Sequence, residues 1–187
     1  MTIETVTPPN GEPVSLSEAR DFLRIGHEGG DALVQHLIEG ARARLERASS
    51  LALVTRTLRQ IWSAWPAALR ARGIPLRPGP VQSVTTIKQI SASGEETDLT
   101  ARFLFAPDRQ RLCLQEFVPA PLIAPGERIE IEYVTGFGEA GDVPADLKHA
   151  VLRLAQETYR RGEAPVSGAP LPADVDAILK SYRQVRL

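Results

Sequence analysis

The residues best suited to chemistry are few and scattered. Histidines stand at positions 27, 36 and 149, and the single cysteine is Cys113. Zinc centres draw Cys, His and carboxylate donors from short, repeated spacings. No such spacing occurs here, so no metal ligand is assigned. His36 and Glu39 share one face of a helical stretch. Carboxylate-bridged metal sites instead place His three residues after Glu and repeat that pattern on a second helix, with further glutamates from other helices. The pair therefore reads as solvated. Cys113, in the apolar run Arg111-Leu112-Cys113-Leu114, reads as a small core hydrophobe in a reducing compartment rather than a nucleophile.

Two further patterns invite a catalytic or cofactor reading. Gly136-Phe137-Gly138-Glu139-Ala140-Gly141 fits G-x-G-x-x-G between a strand and a helix. A dinucleotide fold needs that helix to return to a parallel strand bearing an acidic residue, whereas Arg161 leads into a Pro-rich segment and another helix. The glycines are therefore expected to serve turns. Glu130 and Glu132 lie on one face of a strand and resemble paired catalytic carboxylates, but nothing in the sequence marks a pocket that would shift their pKa values. No nucleophile elbow and no Walker-type loop is present. The expectation is a protein without catalytic residues, without a cofactor and without enzymatic activity.

The elements that must position any functional surface are legible from periodicity. Residues 1–14 hold three Pro and no repeat, and read as an extended arm. Ser15-Leu16-Ser17-Glu18 is a capping box opening a helix with Leu16, Ala19 and Leu23 on one side. A second helix runs from Asp31 to about Ser50, with Leu33, Leu37, Ala41, Leu45 and Ala48 as its apolar stripe. From 53 to 134 the texture is β-type, with candidate strands at 53–62, 81–90, 101–105, 111–117 and 128–134, the last alternating Ile129, Ile131, Tyr133 against Glu130, Glu132. Pro-rich joints at 74–80 and 118–127 interrupt these strands. Helix returns over 143–161, and 162–172 is a linker by composition. A last helix follows over 173–187. The expected fold is α+β and mostly helical: an amino-terminal helical hairpin and carboxyl-terminal helices around a central β-rich insertion, with a linker-attached last helix. Residues 15–161 form the body.

That last helix carries Val175, Ile178, Leu179 and Tyr182 on one stripe, with Lys180, Arg183 and Arg186 at its rim. The stripe either covers the protein's own core or docks in a partner's groove. Sequence alone leaves both open.

Charge narrows the function classes. The 22 basic and 23 acidic residues give a net charge of -1, which excludes binding of nucleic acid through bulk positive charge. Nineteen of the basic residues are Arg, and residues 56–111 hold nine basic and four acidic groups, so the near-balance conceals a basic middle. A DNA-binding module gripping phosphates through this Arg-rich region is the alternative function. No apolar run approaches the ~18 residues of a membrane span, and the amino terminus lacks the features of a signal peptide. Synthesis and retention in the cytoplasm are expected, with no membrane partner.

The order of segments resembles that of the head-tail connector proteins of long-tailed double-stranded DNA phages. The resemblance is carried by Pro13-Val14-Ser15-Leu16-Ser17-Glu18-Ala19-Arg20 with Phe22-Leu23-Arg24-Ile25, by the Ala/Glu-rich Ile38–Glu46, by Trp65-Pro66 and by Pro80-Val81-Gln82-Ser83-Val84. It continues through Ile131–Gly138 and the helix opening Val143-Pro144-Ala145-Asp146-Leu147-Lys148. Where the family's helix closes on an aromatic-Glu-Asn-Arg-Glu end, this chain reads Tyr159-Arg160-Arg161-Gly162-Glu163. The Arg-heavy composition resembles that of a high-GC host, and phage-like gene transfer agents use the same connector.

The resemblance implies structural work at the head-tail junction of a virion or phage-like particle. Connectors of this family close a ring of about twelve copies beneath the portal protein. The ring extends the DNA channel, lets double-stranded DNA pass without sequence-specific binding, and gives the tail-completion (stopper) protein a platform. In relatives the carboxyl-terminal helix reaches the portal, which implies portal docking by Val175, Ile178, Leu179, Tyr182, Arg183, Arg186 and Leu187.

Overall fold

In a computed structural model, the structure describes residues 1–26, 30–66, 69–162 and 169–182. The chain divides into two compact units, Met1–Asn10 with Thr55–Gly136, and Gly11–Val54 with Phe137–Leu187.

The first unit is built of strands. Val-, Thr- and Ile-rich segments punctuated by Pro and Gly form a five-stranded antiparallel sheet of order β1-β2-β8-β4-β5. Its strands are β1 (Thr2–Thr7), β2 (Arg56–Trp62), β4 (Val81–Ile90), β5 (Glu96–Asp98) and β8 (Arg128–Thr135). A second sheet of order β3-β7-β6 is formed by β3 (Ile74–Pro75), β6 (Phe103–Ala106) and β7 (Arg111–Leu114). A four-residue helix, α3 (Leu69–Arg72), precedes β3. The alternation read in β8 appears as expected: Ile129, Ile131 and Tyr133 are fully buried, in one core with Leu58, Ile74, Leu76, Ile87 and Leu112. Buried aliphatic side chains contribute about 1.5–3 kcal/mol each, so this unit has a core of its own.

The second unit is built of helices. These are α1 (Leu16–Leu23), α2 (Asp31–Ser49), α4 (Ala145–Arg161) and α5 (Ala173–Tyr182). The capping box of α1 is complete: the Ser15 amide donates to Glu18 Oε2 at 2.7 Å and the Glu18 amide to Ser15 Oγ at 3.2 Å. Those hydrogen bonds with Ser15 hold the Glu18 carboxyl below the usual range. The stripe of α2 is turned from the expected one. Val34, Leu37, Ile38, Ala41 and Leu45 are buried, whereas Leu33 is half exposed and Ala48 faces solvent.

The expectation of a mostly helical fold is overturned. The protein is a sheet-rich α+β fold with two antiparallel sheets; β2 to β8 do lie between α2 and α4 along the chain, and together with β1 they form a unit with a separate core. The physical reason lies in strand length. β3 and β5, which lie outside the expected strands, span two and three residues, too few for an alternation to show. Within the stretch read as an arm, Thr2–Thr7 pairs with β2 from Thr2↔Ile61 to Thr7↔Thr57.

Candidate functional site

The carboxyl-terminal helix was the one element whose apolar stripe the sequence left unplaced, and the structure seats it on the helical unit. Asp174 and Asp176 occupy its first turn, where the helix dipole favours negative charge. Lys180 Nζ lies 3.0 Å from Asp176 Oδ2, one turn away. Val175 and Leu179, four residues apart, are fully buried in the core of the helical unit, where α5 packs on α4, and Ile178 and Tyr182 pack half-buried against the same core.

Polar contacts fix both ends of this helix. Arg153 Nε donates to Asp174 Oδ2 at 2.7 Å, and that bond holds the Asp174 carboxyl below its ordinary value. The Tyr182 hydroxyl lies 2.7 Å and 2.9 Å from the two oxygens of Asp146, its one proton shared between them. Desolvation, reinforced by this carboxylate, pushes the Tyr182 phenol up to about 12. The Phe137 ring meets the Tyr182 ring edge-on, with centroids 6.2 Å apart. Just upstream, Arg44 bridges Glu157, at 2.8 Å, and the Pro170 carbonyl, also at 2.8 Å. These partners carried little sequence signal. Asp146 sits in the helix opening Val143–Lys148, but nothing in the spacing tied Arg44 to Pro170, 126 positions away.

Of the seven residues expected to dock on a portal, the structure brings together Val175, Ile178, Leu179 and Tyr182. Arg183, Arg186 and Leu187 lie outside the described residues.

The other candidates resolve into structural roles. His36 Nδ1 is 3.7 Å from Glu39 Oε2, with His36 exposed and Glu39 half-buried. The His149 ring packs edge-on against Phe22, and His27 lies outside the described residues. Among the described residues no three His, Cys, Asp or Glu side chains gather to hold a metal. Glu132 accepts from Arg59 Nε at 3.0 Å, Glu130 accepts from Arg128 at 2.7 Å, and Arg59 Nε is 3.4 Å from Glu130. These carboxylates are charge partners. Gly136 and Gly138 have φ of 128° and 142°, and a Cβ at Gly138 would lie 2.3 Å from Asp142 Oδ2. The glycines thus serve a tight turn, and every strand pairing described is antiparallel. Among the described residues no helix is long and apolar enough to cross a membrane.

No family model and no curated protein matches the chain. Solved structures do. The neck of an empty gene transfer agent (GTA) particle, computed with C6 symmetry, contains a chain 31% identical with a TM-score of 0.81, the match covering 100% of this chain and 97% of that one. The virion of a native GTA particle gives 30% identity and 0.81. The neck of a native GTA particle computed with C12 symmetry gives 30% and 0.80, each with the same coverage. With this identity along the whole of both chains, the protein belongs to the head-tail connector family of phage-like gene transfer agents and is a structural component of the particle neck.

Proposed function

We propose that this connector is the adaptor of the neck: about twelve copies form a closed ring beneath the portal protein, prolong the channel for double-stranded DNA and present a platform to the tail-completion protein. The observation that carries this reading is the whole-chain match to a neck computed with C12 symmetry. The ring does no catalysis and needs no cofactor. DNA passes without sequence-specific contacts.

The carboxyl-terminal segment makes the portal contact in this reading. Val175 and Leu179 root α5 in its own unit, and the outer part of the helix with Arg183, Arg186 and Leu187 meets the portal. Removing residues 171–187 would strip the core as well as the contact, so the decisive truncation is residues 183–187. Particles carrying it are expected to fill with DNA and then to lose it, without tails. Normal tail attachment by that variant would falsify the docking assignment.

The alternative, a module gripping phosphates through its Arg-rich middle, has less support. Within that middle, Arg59 is held by Glu130 and Glu132 and Arg111 donates to the carbonyls of Arg72 and Gly73, which occupies guanidinium groups that phosphates would need.

A further inference from the structure

We infer that the ring contact is a main-chain sheet contact, in which β1 of one copy pairs along the edge of β4 of the next copy over Gln82–Thr86. This rests on the ring reading above. β1 is an edge strand: it pairs with β2 on one side, and all six of its residues are exposed. Its sequence, Thr-Ile-Glu-Thr-Val-Thr, is rich in β-branched residues. Open edges are normally blunted by Lys, Pro, inward charge or bulges, yet β1 has neither Lys nor Pro, its one charge is Glu4, its one register shift against β2 falls at its end, between Thr5 and Thr7, and Ile3 and Val6 are exposed.

The opposite end of the same sheet is also open, over a similar length. β5 covers only Lys88–Ile90 of β4. Two side chains close the limits of the remaining edge. The Gln110 amide exchanges hydrogen bonds with the Val81 main chain, and Thr100 Oγ1 accepts from the Ile87 amide at 3.0 Å while the Ile87 carbonyl accepts from Leu99. Between them, among the described residues, no strand covers Gln82–Thr86. This stretch, Gln-Ser-Val-Thr-Thr, is uncharged and accepts β1 without repulsion. β5 is the poorer mate, because Glu95, Glu96 and Asp98 would face Glu4 with like charge.

Cyclic symmetry selects between partners. Neighbours in a ring meet through different surfaces, whereas β1 against β1 is self-complementary and closes a dimer. Two open edges at opposite ends of one sheet are what a head-to-tail ring requires, and strand addition supplies affinity through main-chain hydrogen bonds.

The test uses tailed particles from cells supplying a Cys113→Ser chain that also carries Thr5→Cys with Ser83→Cys, or Glu4→Cys with Thr85→Cys. Oxidation is expected to give a ladder of linked multimers with at least one pair and none with single cysteines. An intact ring that yields no ladder with either pair overturns the edge contact and leaves the ring standing. Dimers from Thr5→Cys alone show β1 on β1 and also overturn it. A neck without a ring of this chain in micrographs sinks the ring reading, and the edge contact with it. In the unmodified chain, amide exchange over Ile3–Val6 should be at least about tenfold slower in particles than in the free subunit. Equal rates count against the contact whatever the variants do.

Discussion

The hydroxyl of Tyr133 holds the part of a proline-rich joint that lies beyond the short ladder of β3. Residues 74–80 carry three prolines, which lack amide donors, so their carbonyls need partners from elsewhere. Tyr133 donates to the Arg77 carbonyl, Gln60 Nε2 reaches the same oxygen at 3.1 Å, and Thr135 Oγ1 lies 2.7 Å from the Pro78 carbonyl. Burial pushes the Tyr133 phenol up to about 12, keeping it a donor. Tyr133→Phe is expected to cost about 1–3 kcal/mol, the range for leaving a buried acceptor short of a donor, read from urea unfolding. Gly73 makes a second prediction. Its φ is +69°, and a Cβ there would meet the Leu112 carbonyl oxygen at 2.6 Å. Gly73→Ala should therefore destabilise by more than the ~1 kcal/mol typical of φ-compatible changes. At this scale the sequence was partly readable. Period-two alternation exposed Tyr133 as a core residue, but Gln60 and Thr135, both fully buried, looked like ordinary polar strand residues, because what they satisfy lies 17 and 57 positions away.

At the scale of elements, α5 is held by two buried aliphatic residues and a polar clamp at each end. Leu179→Ala removes one of the two, and about 2–5 kcal/mol of stability with it, measurable by urea unfolding of the full chain. The clamps titrate in opposite directions. Arg153 depresses the Asp174 carboxyl, so its contribution is complete above the ordinary carboxylate range and is lost as pH falls through the depressed value. Tyr182 is raised to about 12, so its contribution is complete below the ordinary phenol value of about 10 and disappears as pH rises through about 12. Protection of the α5 amides, taken relative to their intrinsic exchange rate at each pH, should accordingly fall at both extremes. Tyr182→Phe should remove the alkaline loss and one late-ionising phenol from the absorbance titration, while an unchanged alkaline limb would refute the clamp. Helix existence was legible here, helix rotation less so. On α2 the series through Leu33 and the series through Val34 share Leu37, Ala41 and Leu45, so spacing alone does not choose between them. The core of the helical unit does, by taking Val34 and Ile38.

On the scale of the whole molecule, the basic middle seen along the chain does not survive folding. β8 brings Glu130 and Glu132 into the strand unit, the segment before it brings Glu116 and Glu127, and β1 brings Glu4, so that unit holds ten basic and nine acidic residues. At least eight of the nineteen Arg form ion pairs within the chain, including Arg42 with Glu12 at 2.7 Å and Arg44 with Glu157 at 2.8 Å. Linear charge counting missed this because the neutralising strand arrives from outside the window counted. The consequence concerns DNA. Each phosphate neutralised adds close to one unit to the slope of log affinity against log salt, and a protein whose guanidinium groups already have carboxylates neutralises few. Titration of fluorescent duplex DNA with the purified chain, from about 50 to 200 mM salt, should show no saturable binding at micromolar protein, or a slope shallower than about −2. A slope near −6 at micromolar affinity would mean that the Arg side chains leave their carboxylates for phosphate. Threading DNA would then be gripped at every subunit, and a ring of such subunits would resist the passage that a channel has to permit.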